Sequence, residues 1–421
     1  MKEKMSVSLR NDAEKIINAA ISSVKPDAAV KKTLNQILPE FSTGTGRLIL
    51  IAVGKAAWQM ANAAYEILGD RISSGAVITK YGHSMGRIGD LEIFEAGHPV
   101  PDENSFRATE RVIELVSGLC AEDSVLFLVS GGGSALFEKP LISAQELKNI
   151  TDQFLGCGAD IREINTVRKR LSAVKGGKFA QLCRPARIYS VILSDILGDP
   201  LDMIASGPAY PDSSTSAQAV GIVEKYRLAV SAQVMLLLKK ETPKELPFVE
   251  TYIAGNVSGL CTAAAKEAEK LGYEPVLLTT CLSCTARDAG VFLADIARQY
   301  KAADHSLAFI CGGETVVKLT GSGLGGRNQE LALAASEGIS GLDNIAVFSV
   351  GSDGTDGPTD AAGGYVDGNT RNTLREQTVD VYSVLENNDS YHALEKTGGL
   401  IFTGPTGTNV NDLTVLLIKK A

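Results

Sequence analysis

Apolar residues follow two rhythms along this chain. Short, mostly apolar runs recur at 47–53, 75–79, 91–94, 125–129 and 188–193, and 125–129 is unbroken. Runs of that length predict strands buried on both faces. Between them, apolar residues return at helical spacing, as at Ile16, Ile17, Ala20 and Ile21 within 9–40. The segments 105–119, 143–156 and 160–183 also read as helices. Strands that alternate with helices predict a mostly parallel sheet covered on both faces, three layers in all. The stretch 227–250 is weaker, and 239–247 within it is charged and broken by proline. A second set follows, with strands at 252–253, 275–279, 307–311, 345–350 and 413–418. Its helices fall at 258–271, at 285–300 and from about 328. The expected class is α/β, as two domains: 1–245, and a smaller one over 246–421.

Composition narrows the picture. A chain of 421 residues is too long for one ordinary core, which agrees with two domains. Apolar residues at 44% and charged residues at 21% fit a globular protein. A net charge of −8 argues against a nucleic-acid partner, whose surface would be basic. No stretch approaches the ~20 apolar residues of a membrane span, and the N-terminus has no apolar signal core, so the expected location is the cytoplasm with no membrane partner. Seven cysteines, an odd number, read as reduced thiols. Cys281 and Cys284 form a lone C-x-x-C, which cannot supply a four-cysteine zinc site.

The strand ends carry the candidate chemistry. In a parallel sheet, ligands gather beyond the C-terminal strand ends. There stand Gly54-Lys55, then Thr79-Lys80-Tyr81-Gly82-His83, then Ser130-Gly131-Gly132-Gly133-Ser134, then Ser194-Asp195. The second of the glycine-rich pieces joins a buried strand to a restarting helix. Its N–H groups and the helix dipole suit an anion. Lys55 sits at a helix start, where a cation opposes the dipole, so an anion-facing role is the more natural one. His98 stays open between a base and a hydrogen-bonded loop histidine.

In the second half, Gly312-Gly313-Glu314-Thr315 follows a strand. The run 321–326, ending in Gly325 and Gly326, lets backbone approach a ligand closely and precedes Arg327 and Asn328. An arginine fork suits a carboxylate or phosphate. Asp353, Asp356 and Asp360 lie among glycines, which suits a hard cation such as Mg²⁺; turn and cap roles remain the alternative. The loop 403–412 adds a fourth piece. No G-x-x-x-x-G-K-[ST] occurs, and no G-x-G-x-x-G follows the first strand. The spelling at 321–326 comes late and lacks the βαβ context of a dinucleotide site.

Taken together, several blocks carry a resemblance. AVGKAAWQMA (52–61), TKYGH (79–83), EAGHPVPDENS (95–105), FLVSGGGSALFE (127–138), INTVRKRLSAVKGGK (164–178) and LSDILGDPLDMIASGPAYPDSSTS (193–216) lie in the first half. FICGGETVV (309–317), GLGGRNQELAL (323–333), SDGTDGPTDAAGG (352–364) and TGPTGTNVNDL (403–413) lie in the second. In order and over nearly the whole length, the chain resembles the glycerate 2-kinases of the MOFRL type. The resemblance implies transfer of the γ-phosphoryl group of ATP to the 2-hydroxyl of D-glycerate, with Mg²⁺. It implies a Rossmann-like first domain and a site in a cleft between the domains, and it matches the family's catalytic cations to Lys55 and Arg327.

The remaining assignments follow from that frame. Asp195 is the expected general base or a metal ligand, and Asp353 and Asp356 are the expected metal ligands. Ser130, Gly131, Gly132, Gly133, Ser134, Glu314, Gly325, Gly326 and Asn328 are expected to bind substrate and phosphate. Domain closure would bring Arg327 opposite Lys55. The expected partners are D-glycerate and ATP, and a homo-oligomer is left open. Two other readings stand beside this one: an NAD(P)H-dependent hydroxypyruvate reductase, and a non-catalytic metabolite-binding protein on the same fold.

Overall fold

The computed structural model describes residues 2–42 and 46–420. The chain divides into two compact units, Pro26–Ala254 and Met1–Lys25 with Gly255–Ala421. The division falls at 254/255, beyond the expected 245/246. The first helix also belongs with the later half. The expected single helical stretch over 9–40 is two helices, Lys2–Ser23 and Pro26–Ser42. Pro26 fits the first helical position of the second, because its missing N–H is not needed there.

The unit Pro26–Ala254 holds a six-stranded sheet. Its strands are β1 (Leu48–Val53), β2 (Ile72–Lys80), β3 (Glu92–Ala96), β4 (Ser124–Val129), β5 (Arg187–Leu193) and β6 (Val249–Gly255), in the order β3-β2-β1-β4-β5-β6. The pairs β1–β2, β1–β4, β2–β3 and β4–β5 are parallel. This is the strand order of doubly wound sheets, whose switch point lies between the two central strands. All six residues of β1 are buried, because side chains of both faces enter apolar clusters. Ile49, Ile51 and Val53 pack on one side with Phe127, Phe137 and Phe179. Leu50 and Ala52 pack on the other with Met60 and Val191.

The other unit also has six strands, but of mixed direction. They are β7 (Glu274–Leu282), β8 (Leu307–Gly313), β9 (Ile345–Gly351), β10 (Gly363–Asp367), β11 (Leu400–Ile401) and β12 (Asp412–Ile418), ordered β11-β10-β9-β12-β8-β7. Only the β7–β8 pair is parallel; β12 runs antiparallel to both β8 and β9. The last residues of β8 and β9 therefore reach the same sheet end as the first residue of β12. Gly313 and Gly351 both pair with Asp412. The helix Lys2–Ser23 is tied into this unit, since Asp12 accepts from Tyr273 Oη at 2.8 Å and from Lys419 Nζ at 2.7 Å.

Two expected elements differ. The segment 160–183 is a helix Ile161–Leu171, a turn, and a short helix Lys178–Leu182. Gly176 and Gly177 break it with φ of 60° and 79°. The piece after the 130–134 turn is one short helix, Gly133–Leu136, so the dipole there is weaker than the sequence suggested.

Candidate active site

In the doubly wound sheet, the loops after β1 and β4 are laced together at the switch point. Lys55 N donates to Gly131 O at 2.8 Å, and Ala56 N donates to Ser130 Oγ at 3.1 Å. A Cβ on Gly54 would stand 2.2 Å from Ser130 Oγ, so only glycine fits at this crossing. Gly132 has φ of 86°, a left-handed conformation that favours glycine. Among the described residues, the N–H groups of Gly132, Gly133 and Ser134 donate to no backbone carbonyl outside the short helix Gly133–Leu136. Asp195, from the end of β5, lies over the turn: a Cβ on Gly131 would be 2.1 Å from its Oδ2. Lys55 is half-buried and its ammonium pairs with no carboxylate among the described residues. The structure thus brings Lys55, Ser130, Gly131, Gly132, Gly133, Ser134 and Asp195 to one strand end.

A strained segment supports this turn from beneath. Ala205, Ser206 and Gly207 all have left-handed φ, at 50°, 62° and 62°. Non-glycine residues there cost on the order of 1 kcal/mol or more each, so packing must hold them. Ser206 Oγ lies 2.9 Å from Ser134 Oγ and donates to Asn165 Oδ1 at 3.3 Å. The sequence named none of these three supports as site residues. The strain itself leaves no local signal.

The basic block 164–178 turns out to be internal. Lys175 is fully buried, pairs with Glu138 at 2.7 Å and donates to Phe137 O at 3.0 Å. Burial is the larger influence and brings its amine down to about 8. Lys169 pairs with Asp212 at 2.9 Å and Asp202 at 3.2 Å, and Arg170 donates to Ser214 O at 2.9 Å. These cations serve the fold, and the paired acids keep their burial tolerable.

At the mixed sheet's end stands Arg327, the first residue of the helix Arg327–Gly338. Its Nε and Nη2 donate to Asp412 at 2.5 and 2.9 Å, and Nη1 lies 3.3 Å from Glu314 Oε1. The guanidinium is about a third exposed (32%), whereas the Asp412 side chain is only 6% exposed. Burial pushes the Asp412 carboxyl up, against the pull of Arg327. Asp412 was quoted within a loop but given no role. It begins a strand, and only the antiparallel direction of β12 brings it here.

Four of the expected ligand residues make their contacts within the protein itself. Asp356 is buried and caps the Arg327 helix, accepting from Asn328 N at 3.1 Å and Gln329 N at 2.9 Å. Gly326 lacks a side chain because that carboxylate occupies the space: a Cβ would be 2.2 Å from Asp356 Cγ. Asn328 is buried, accepting from Ser349 Oγ at 2.5 Å and donating to Asp356 at 3.2 Å. Gly325 is crowded against Ser390, whose Oγ would be 2.2 Å from an added Cβ. The N–H groups of the preceding run are also spent within the protein. Gly321 N donates to Asn388 Oδ1 at 2.9 Å, Gly323 N to Asn387 O at 2.8 Å and Leu324 N to Asp389 Oδ1 at 2.9 Å. The glycines of 321–326 permit close approach, as expected, but the approaching partner is the segment 387–390. Asp353 remains half-buried with one oxygen accepting from Thr355 N at 3.0 Å. Among the described residues, no three His, Cys, Asp or Glu side chains form a metal-binding cluster. None of the described helices is long and apolar enough to cross a membrane.

A doubly wound sheet with a glycine turn beside Lys55 at its switch point, together with a second α/β unit, defines the class as an α/β protein of two units. Comparison with known proteins narrows it. Residues 12–239 match a family described as a domain of unknown function (DUF4147), and residues 307–412 match the MOFRL family. A D-glycerate 2-kinase of Thermotoga maritima is 53% identical over 98% of this chain and 99% of its own. A crystal structure of glycerate kinase from Thermotoga maritima matches with a TM-score of 0.93 at 53% identity, covering 98% of this chain and 99% of that one. A relative from Agrobacterium vitis, 38% identical over 98% of this chain and 95% of its own, is named a putative hydroxypyruvate reductase. The chain belongs to the MOFRL-type glycerate 2-kinase family.

Proposed function

We propose that this protein transfers the γ-phosphoryl group of ATP to the 2-hydroxyl of D-glycerate, giving 2-phosphoglycerate and ADP. The observation that carries the reading is the Lys55 ammonium, without an acid partner among the described residues, beside the N–H groups of Gly132, Gly133 and Ser134, which donate to no backbone carbonyl of the described residues outside their own short helix. Phosphoryl transfer asks mainly for positioning and charge neutralisation, and little covalent chemistry. Lys55 and Arg327 both act on the transferred group. Ser130, Gly131, Gly132, Gly133 and Ser134 receive phosphate oxygens, and Glu314 beside Arg327 helps orient it. Asp195 takes the proton from the 2-hydroxyl as its oxygen bonds to phosphorus. The bond from the γ-phosphorus to the bridging oxygen breaks, and ADP leaves with that electron pair.

Mg²⁺ accompanies the nucleotide. Such an ion is commonly held by one or two carboxylates plus substrate phosphates, so a single donor suffices from the protein. Asp353 fits that part, being half-buried with unshared lone pairs. Asp356 does not, because a metal there would compete with the helix N–H groups it caps. When bound, the ion would neutralise phosphate charge.

The reductase reading draws on the strand order, which dinucleotide-binding sheets share. The turn after β1 lacks the glycine fingerprint of those sheets and carries Lys55 in its place. Purified protein with ATP, Mg²⁺ and D-glycerate is the deciding experiment. ADP and 2-phosphoglycerate, resolved by ³¹P NMR, are expected. Absence of ADP, with NADH consumed on hydroxypyruvate, would replace the reading; 3-phosphoglycerate would correct the acceptor oxygen.

A further inference from the structure

His98 follows β3 in the loop that closes over the 130–134 turn. Its ring packs against Gly132: a Cβ there would lie 2.9 Å from His98 Cδ2 and 3.0 Å from Nε2, with Lys55 Cγ at 3.1 Å. The ring is half-buried and makes no hydrogen bond to any described residue. Its neighbour His83 behaves in the ordinary way, with Nδ1 at 3.1 Å from Lys55 O. The hydrogen-bonded loop histidine, one of the two openings left by the sequence, is therefore not what His98 is.

The groups around the ring are mostly cationic. Lys55 comes from the loop after β1, and Lys80 and His83 from the end of β2. Asp195 stands across Gly131, and Asp102 lies beside the adjacent Gly97. Burial first, then Lys55, Lys80 and His83, hold the imidazole below its ordinary range, so the ring is neutral near pH 7. A neutral ring between ammonium groups supplies a directed donor without adding a third charge.

We propose that His98 is a ligand-contacting residue, donating a ring N–H to the anion received by Lys55 and the 130–134 turn. This rests on the phosphotransferase reading of the same site. The anion is either the nucleotide's phosphates or the carboxylate of glycerate, and both share this chemistry. An anion placed there offsets the charge of Lys55 and Lys80, so the ring gains affinity for a proton and the contact becomes charge-assisted.

The test is the imidazole titration of His98 in the full chain, followed by NMR and assigned by loss of its signal in His98→Gln. It is run without ligand, with D-glycerate, and with the Mg²⁺ complex of a non-hydrolysable ATP analogue. One ligand should raise the titration midpoint by ~1 unit or more, which identifies the anion. His98→Phe, which removes the donor and keeps the bulk of the ring, should raise KM for that same substrate ~10–100-fold, as expected for one lost hydrogen bond to a charged group, with Tm unchanged. Calorimetric binding of both ligands with no change in the His98 titration would overturn the proposal, as would parental KM values for both substrates in His98→Phe. A parent protein that binds these ligands but transfers no phosphoryl group would count against the reaction alone, because the titration needs only binding.

Discussion

The two sheets hold a cation at their ends in opposite ways. At the doubly wound sheet, Lys55 stands beside open backbone N–H groups with no carboxylate partner among the described residues. At the mixed sheet, Arg327 is clamped through two nitrogens by Asp412 and flanked by Glu314. Strand direction is the cause. In the first sheet β1 and β4 run parallel, so the same end collects two turns and no strand start. In the second, antiparallel β12 delivers its first side chain, a buried carboxylate, to the end where β8 and β9 finish. One cation is left available by topology, and the other is oriented in advance by a partner. The first contributes little to stability, whereas the second is part of the fold.

Paired truncations probe this difference most strongly. Lys55→Ala and Arg327→Ala should each lower kcat by about 10²–10³-fold, the typical loss for one preorganised charge in a phosphoryl or acyl transfer site. Their stabilities should part. Urea unfolding of Lys55→Ala should match the parent. Arg327→Ala should lose about 1–3 kcal/mol, because buried Asp412 forfeits two charged hydrogen bonds. Equal unfolding midpoints for the two variants would erase the contrast.

A smaller effect concerns pH at the clamped site. Burial pushes the Asp356 carboxyl up to about 6 from 3.8. The folded chain then binds this proton more tightly than the unfolded chain does. Its contribution to stability is therefore greatest below about 4 and is lost as pH rises to about 6. Asp356→Asn removes the titration and keeps an acceptor for the helix N–H groups. The stability of the parent relative to this variant should fall by on the order of 2 kcal/mol from pH 4 to pH 7. A difference that stays constant with pH would mean that the capped carboxylate remains ionised across that window.

The least disruptive change lies in the lone-ammonium site. Gly131→Ala would push a methyl into Asp195, whose Oδ2 is 2.1 Å from the added Cβ. Activity should drop about 10-fold, less than the ~10²-fold low end for losing a catalytic acid or base because Asp195 is displaced and not removed, while Tm moves little because Gly131 is not fully buried. Undiminished kcat in Gly131→Ala would remove Asp195 from the mechanism.

The sequence exposed the parallel site more fully than the mixed one, for a physical reason. Buried strands such as β1, β4 and β5 announce themselves as apolar runs, and Lys55, Ser130 and Asp195 sit at or just beyond their ends. The strands β10 and β11 escaped notice, because one opens on Gly363-Gly364 and the other has two residues. Residue type also misled where packing decides direction. Asp356 and Asn328 have ligand chemistry, yet both are turned inward to serve a helix end. Lys169, Arg170 and Lys175 belong to a cationic stretch of the chain and are buried with acids found 30 or more residues away. Pairing across such distances has no local signature.

The position of β12 carries a consequence for synthesis. It is the final strand of the chain and lies between β8 and β9, at the centre of its sheet. The helix Lys2–Ser23, which packs with this unit, precedes all of its strands in the chain. A ribosome therefore releases Pro26–Ala254 as one continuous segment able to condense early, while the opening helix must wait for residues near the C-terminus. Until Asp412 emerges, Arg327 has no clamp. Loss of residues 412–418 would remove both the central strand and that partner, leaving β8 and β9 each with an unpaired, apolar strand edge.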